Sequence, residues 1–304
     1  MKKLLLGLAG LSLTILLGAA EPPPNAALAF RRDGHQFVFD TGVIRGKLKE
    51  QRTFGLTAVE HSPTGRKLSR GHGLFGIYRV FSDHTRYGAG AWDWPGEAVL
   101  QDDGAVLVRC APATERPFEL TGLYRWVTPG ALDLEITVKP QKDLRGFEAF
   151  LASYFDPAFS NALAYVQAYE RTGNQPGLLA AERSLGNWLM FPRDSQAVSL
   201  VKDGRWQLPP HPVEWTLLPP LAGPLGVRRA PDSGLTALLM APARDCFAVA
   251  CPYETEGHFS TYLSLFGRDL KAGETARARA RLVILEKPDT PAILKTFQAY
   301  HGDH

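Results

Sequence analysis

The sequence predicts an all-β protein: one large antiparallel β-sandwich followed by a short C-terminal helix. Three observations carry this. Apolar and polar residues alternate at the two-residue period of a strand in one segment after another. The 23 prolines and 29 glycines break those segments at short intervals. The strongest helical pattern lies at the C-terminus, and no repeat of fixed period marks a solenoid or propeller.

In chain order, HQFVFDTG (35–42) alternates and ends in a turn. AVLVRCAP (105–112) follows Asp102-Asp103-Gly104, and LDLEITVKP (132–140) follows Pro129-Gly130. QAVSLV and RWQL flank Lys202-Asp203-Gly204, which predicts a hairpin because Asp-Gly readily adopts the positive φ of a tight turn. GLTALLMAP, CFAVACPYE, FSTYLSLFG and ARARARLVIL complete the strand series. In the last of these, Arg277, Arg279 and Arg281 share one face, either a solvated outer face or a track for a polyanion. GLLAAERSLGNWL (177–189) gives a weaker helical signal. At the C-terminus Thr290 can cap, Pro291 suits a first helical turn, and Ile293, Leu294, Phe297 and Tyr300 share a face.

The first residues have another character. Lys2 and Lys3 precede an apolar run from Leu4 to Leu17 and then Gly18-Ala19-Ala20. A basic start, an apolar run shorter than a bilayer span and a small-residue end predict a signal peptide over residues 1–20. The expected mature chain, 21–304, is then a single sandwich domain in the periplasm or outside the cell; an uncleaved anchor is the alternative. No cysteine follows the run, which argues against a lipid anchor.

The formal charge of +3 falls to about +1 without Lys2 and Lys3, and the arginines are scattered. That excludes an obvious nucleic-acid footprint. Cys246 and Cys251 sit on one predicted strand, where five steps separate them by roughly 16 Å. A disulfide needs less than about 7 Å between Cα atoms, so these two are not expected to pair with each other, and Cys110 can pair with one of them only if the fold brings it close. The three cysteines lack the spacing of a zinc site, and neither a metal nor a cofactor is expected.

Two stretches gather residues that suit sugar recognition. Residues 72–97 hold His72, Tyr78, Arg79, His84, Arg86, Tyr87, Trp92, Trp94 and Glu97. Aromatic faces stack on the C–H face of a pyranose while charged groups bond its hydroxyls. Residues 251–262 hold Glu254, Glu256 and His258, carboxylates and an imidazole close enough in sequence for an acid–base pair. The competing readings are core aromatics closing one end of the sandwich and an exposed acidic hairpin. Asp194 and His211 are expected in turns or loops.

LDLEITVKPQKDLRGFEAFLASYFDPAF (132–159) resembles the segment of the galactose mutarotase (aldose 1-epimerase) superfamily that ends in His-x-Tyr-Phe-Asn. FGRDLKAGETARARARLVIL (266–285) resembles the closing Leu-x-Pro-Gly-Glu turn and final strand of that superfamily. The resemblance implies a β-supersandwich with a sugar site on its concave face, bordered by Tyr154 and Asp156. It also sets Ala152 where those enzymes carry a catalytic His, and brings Glu254 or Glu256 within range of their catalytic Glu. The expected function is therefore acid–base chemistry on a sugar or oligosaccharide. Glu254 or Glu256 is expected as base and His258 as acid, with His72, His84, Arg86, Tyr87, Trp92, Trp94, Tyr154 and Asp156 around the substrate. A non-catalytic glycan-binding protein, a polysaccharide lyase and a structural envelope domain are the alternatives.

Overall fold

The computed structural model describes residues 28–49 and 54–302; the expected signal peptide lies outside them. Among the described residues the strands form three sheets, of nine, seven and five strands. The nine-stranded sheet has Ala276–Glu286 near its centre, between Leu235–Met240 and Ala131–Pro140. The seven-stranded sheet runs Thr216–Leu217, Trp188–Pro192, Cys246–Pro252, Ser260–Leu270, Leu144–Tyr154, Gly76–Ser82, Thr85–Arg86. Its pairings are antiparallel except that of Trp188–Pro192 with Thr216–Leu217. The five-stranded sheet spans Arg31–Asp33 to Arg66–Lys67.

Strand alternation builds one core between the sheets. Leu132, Leu134 and Ile136 point into it from one side, Leu151, Leu263 and Leu265 from the other, and Phe37 and Phe39 of the small sheet join them. Cys110, Cys246 and Cys251 are buried free thiols. The helix α2 (Thr290–Gly302) covers part of the outer face of the nine-stranded sheet, laying Ile293, Phe297 and Tyr300 against Leu225, Val227, Leu238 and Val283. Its cap is Asp289 rather than Thr290, since the Asp289 carboxylate accepts from the Ala292 N–H at 2.8 Å.

The expected hairpin about Lys202-Asp203-Gly204 is not formed. Residues Ser195–Val201 make a helix, α1, and Arg205–Gln207 a single 3-10 turn. Two signals outweigh the strand reading. The Asp194 carboxylate caps α1 by accepting from the Ala197 N–H at 2.9 Å, and Ala197, Leu200 and Val201 fall on one helical face. Gly204 does take the positive φ that Asp-Gly foretells (94°), but it joins helix to turn. The weak helical signal at 177–189 also fails. That segment ends the strand Gln175–Ala180 and begins Trp188–Pro192, with Gly186 at φ 139° between them.

Candidate active site

The face of the seven-stranded sheet turned away from the main core carries the candidate site. On Leu144–Tyr154, Ala149 and Leu151 point into the core, so Phe150, Ala152 and Tyr154 point the other way. Across the ladder Ala152 pairs with Tyr262 on one side and Gly76 on the other. On Gly76–Ser82 the alternation breaks. Arg79 pairs with Phe150 and Ile77 with Leu151, so Tyr78 is an extra, bulged residue. A bulge turns successive side chains toward one face; Tyr78 and Arg79 both line the cavity while Ile77 and Val80 enter the core.

The segment from α1 to Leu217 roofs this face. Trp206 is buried against Phe81 and Phe150, with ring centroids 5.1 and 4.7 Å away. A buried ion pair anchors the roof to the sheet, with Arg205 Nη1 3.0 Å from Glu148 Oε2. Beneath the roof is a cavity of 390 Å³ walled by Tyr78, Phe150, Tyr154, Trp188, Trp215 and Tyr262 among others.

Trp92 is held in a sandwich. Tyr78 stacks on it at 4.4 Å and His72 at 4.5 Å, nearly parallel to it. Both indole faces are therefore occupied, and Trp92 stiffens the wall rather than offering a face to a ligand. Trp188 and Trp215 meet edge to face at 5.9 Å on the opposite side and are only partly buried.

The polar groups meet at Tyr154. His258 lies 6.4 Å from it, ring to ring, and 5.1 Å from Trp188. The Glu256 carboxylate accepts from the His258 backbone N–H and from Nδ1, each at 2.9 Å. A carboxylate only accepts, so Nδ1 carries the proton and the lone pair of neutral His258 is on Nε2. Arg228, fully buried, fixes the loop that carries this pair by donating to the carbonyls of Glu254 and Ser260 and to Thr261 Oγ1. Burial pushes the Tyr154 phenol well above its ordinary range, with the Tyr262 hydroxyl as second cause; burial pushes Tyr262 itself up to about 12. Both phenols are proton donors at neutral pH.

Of the residues expected from sequence, His72, Trp92, Tyr154 and His258 line the cavity. Glu256 stands behind His258. Arg86 stands behind Tyr78, with its Cζ 5.7 Å from that ring. The others lie elsewhere. Glu254 is tied by its backbone to Ala181 and Arg228, and its carboxyl pKa is raised by burial and by Glu182. Asp156 accepts from the Ala158 N–H in a turn, and His84 is exposed in the turn after Ser82. Tyr87 is in the main core against Ser82 and Phe118, and Trp94 lies under Arg116. Phe150, Trp188, Trp206, His211 and Trp215 line the cavity without having been assigned to it from sequence, and Tyr78, Arg79 and Tyr262 join them from the two stretches named above. The tryptophans come from segments distant in the chain, and no local pattern joins them.

No protein-family model and no curated protein matches the sequence. Solved structures do. The Slr1438 protein of Synechocystis sp. PCC 6803 superposes with a TM-score of 0.53 at 12% identity, over 89% of this chain and 100% of that one. A galactose mutarotase related enzyme from Lactobacillus acidophilus gives 0.51 at 11% identity, over 84% and 99%. The fold is galactose mutarotase-like. The α-N-acetylgalactosaminidase NagBb of Bifidobacterium bifidum, in its Gal-NHAc-DNJ complex, gives 0.50 at 13% identity over 91% of this chain but only 39% of its own. In this mutarotase-like sandwich the cavity lies on the outer face of the seven-stranded sheet, and the strand Leu144–Tyr154 lends it Phe150 and Tyr154.

Proposed function

We propose that the chain binds a sugar in the aromatic cavity and acts on it by acid–base chemistry, with His258 as base and Tyr154 as acid. The observation that carries this is the pair itself. An imidazole oriented by a carboxylate faces a protonated phenol, ring to ring at 6.4 Å, in a cavity with aromatic walls. His258 Nε2 accepts the proton of the anomeric hydroxyl while the Tyr154 phenol donates one to the ring oxygen, so the bond from the anomeric carbon to the ring oxygen breaks as the carbonyl forms, and ring closure returns both protons. Ala152 has no proton to give and lies between Phe150 and Tyr154, so the neighbouring phenol takes the acid's part. Glu256 then orients the base instead of being it.

Ring opening and closing of freshly dissolved aldoses, followed by polarimetry or by NMR exchange between anomers, tests this. The wild type should accelerate the exchange, and His258→Asn or Tyr154→Phe should reduce it by about 10²–10⁴-fold. Failure of every neutral and acidic sugar to react, with binding retained, would leave a glycan-binding protein, the reading that Ala152 favours. Unsaturated product from a uronic-acid polymer would favour a lyase.

Export is part of the proposal and rests on residues 1–20. Cell fractionation and the N-terminal sequence of the mature chain test it; an intact Met1 in the cytoplasmic fraction would overturn it.

A further inference from the structure

Arg79 is 4% exposed and lines the cavity. Its Nη2 donates to the His211 carbonyl at 2.8 Å, but its Nε and Nη1 are buried without a hydrogen-bond partner. Leaving charged N–H groups unsatisfied in the interior is costly. Arg228 shows the contrast: also buried, it spends its three nitrogens on three carbonyls and a hydroxyl. Arg86 stands close by, and Tyr78 meets both guanidiniums, with Cζ atoms at 5.0 and 5.7 Å from its ring. Arg86 donates to the carbonyls of Gly88, Ala89 and Pro210 and also meets the Tyr78 side chain. Burial lowers its pKa and the charge on Arg79 lowers it further. Among the described residues neither arginine is paired with a carboxylate, and no Asp or Glu lines the cavity.

Two adjacent cations without a carboxylate partner, Arg79 at the cavity wall and Arg86 behind Tyr78, form an anion site. We infer that Arg79 and Arg86 hold an oxyanion carried by the sugar, so that the substrate is an acidic sugar: a uronate, a sulfated sugar or a sugar phosphate. The inference rests on the sugar-binding reading above. The carbonyls of Pro210 and His211 now occupy one donor of each arginine. An oxyanion makes stronger, charge-assisted bonds and replaces them. The exposed segment 209–212 bearing those carbonyls therefore shifts when the acidic sugar enters, uncovering Nε and Nη1 of Arg79.

Calorimetric titration of a neutral hexose, its uronic acid, its 6-sulfate and its 6-phosphate into the full chain tests this. At least one acidic sugar should bind about tenfold or more tighter than the neutral parent, and the tightest of the three identifies the anion. Arg79→Met and Arg86→Gln should each collapse that preference. Should Arg79→Met fail to fold, Arg86→Gln, whose side chain is only half buried, still decides. So does ionic strength, since added KCl should weaken the acidic sugar and spare the neutral one. Equal affinity for neutral and acidic sugars would overturn the inference and leave the sugar site standing. Absence of binding by every sugar would overturn both.

Discussion

The two outer faces of the sandwich both carry arginines, and they treat them differently. On the nine-stranded sheet Arg281 meets Asp133 at 2.6 Å, Arg277 meets Glu135 at 3.6 Å and Arg279 reaches Asp245 at 3.5 Å. Arg281 also lies over the ring of Tyr300 from α2. The carboxylates that neutralise this row are built into the neighbouring strand and loop, which makes it part of the framework rather than a polyanion track. On the outer face of the seven-stranded sheet Arg79 and Arg86 meet carbonyl oxygens and aromatic rings but no carboxylate, beside a 390 Å³ cavity. Identical side chains are thus neutralised where the fold supplies carboxylates, and left with carbonyl and ring partners where it does not.

Substitutions on each face can break or sharpen that contrast. The largest effect on stability should come from Phe297→Ala, which empties a buried aromatic position under α2. A loss of about 3–5 kcal/mol in denaturant unfolding is expected, with sugar affinity of the remaining folded protein unchanged. A change in affinity would show that the two faces are coupled. Glu148→Ala acts on the other face by removing the fully buried one of the two carboxylates, Glu148 and Asp203, that pair with Arg205. It should cost about 3 kcal/mol and also weaken ligand binding, because the pair anchors the roof that carries Trp206 and Trp215. Unchanged binding would separate the roof from the site.

Asp194→Ala removes the cap of α1 and should cost about 1 kcal/mol. Burial raises the Asp194 carboxyl pKa, but the Ala197 amide and Arg193 outweigh it and leave it lowered. A lowered carboxylate pKa stabilises the fold above the unfolded value and loses that contribution as pH falls through the folded one. Asp194→Ala should therefore flatten the acid side of the stability curve, below about pH 4, measured by unfolding across pH. A parallel shift with no flattening would deny the cap its charge. The smallest effect is a null one. Because burial holds the Tyr154 phenol protonated, turnover should not fall through phenol ionisation up to about pH 10. A decline below that pH which Tyr154→Phe removes would contradict its role as acid.

Much of the framework was legible locally. The alternation of LDLEITVKP, the Ala–Arg alternation of the last long strand and the capped apolar face of α2 each follow from residues within a few positions of one another. Tyr154 and His258 were legible as candidates, the first through its resemblance to the mutarotase strand and the second through its acidic neighbours. The hairpin expected at Lys202 was misread because a short run of apolar residues fits two periods, and the Asp194 cap decided for helix. Trp92 was legible as an aromatic near the site, but the rings of His72 and Tyr78 on its two faces come from packing.

The sequence by itself determined the sandwich, because strand periodicity and turn chemistry are short-range properties. It also determined which strand would form the cavity floor. The tertiary structure alone decided the composition of the site. A one-residue bulge at Tyr78 turned Arg79 out of the core, and a roof distant in sequence delivered Trp206, His211 and Trp215. Glu254 and Glu256 were divided by the path of one loop. Burial, counter-ions and ring stacking join residues far apart in the chain, 148 positions from Asp133 to Arg281, and such distances leave no periodic trace in the chain.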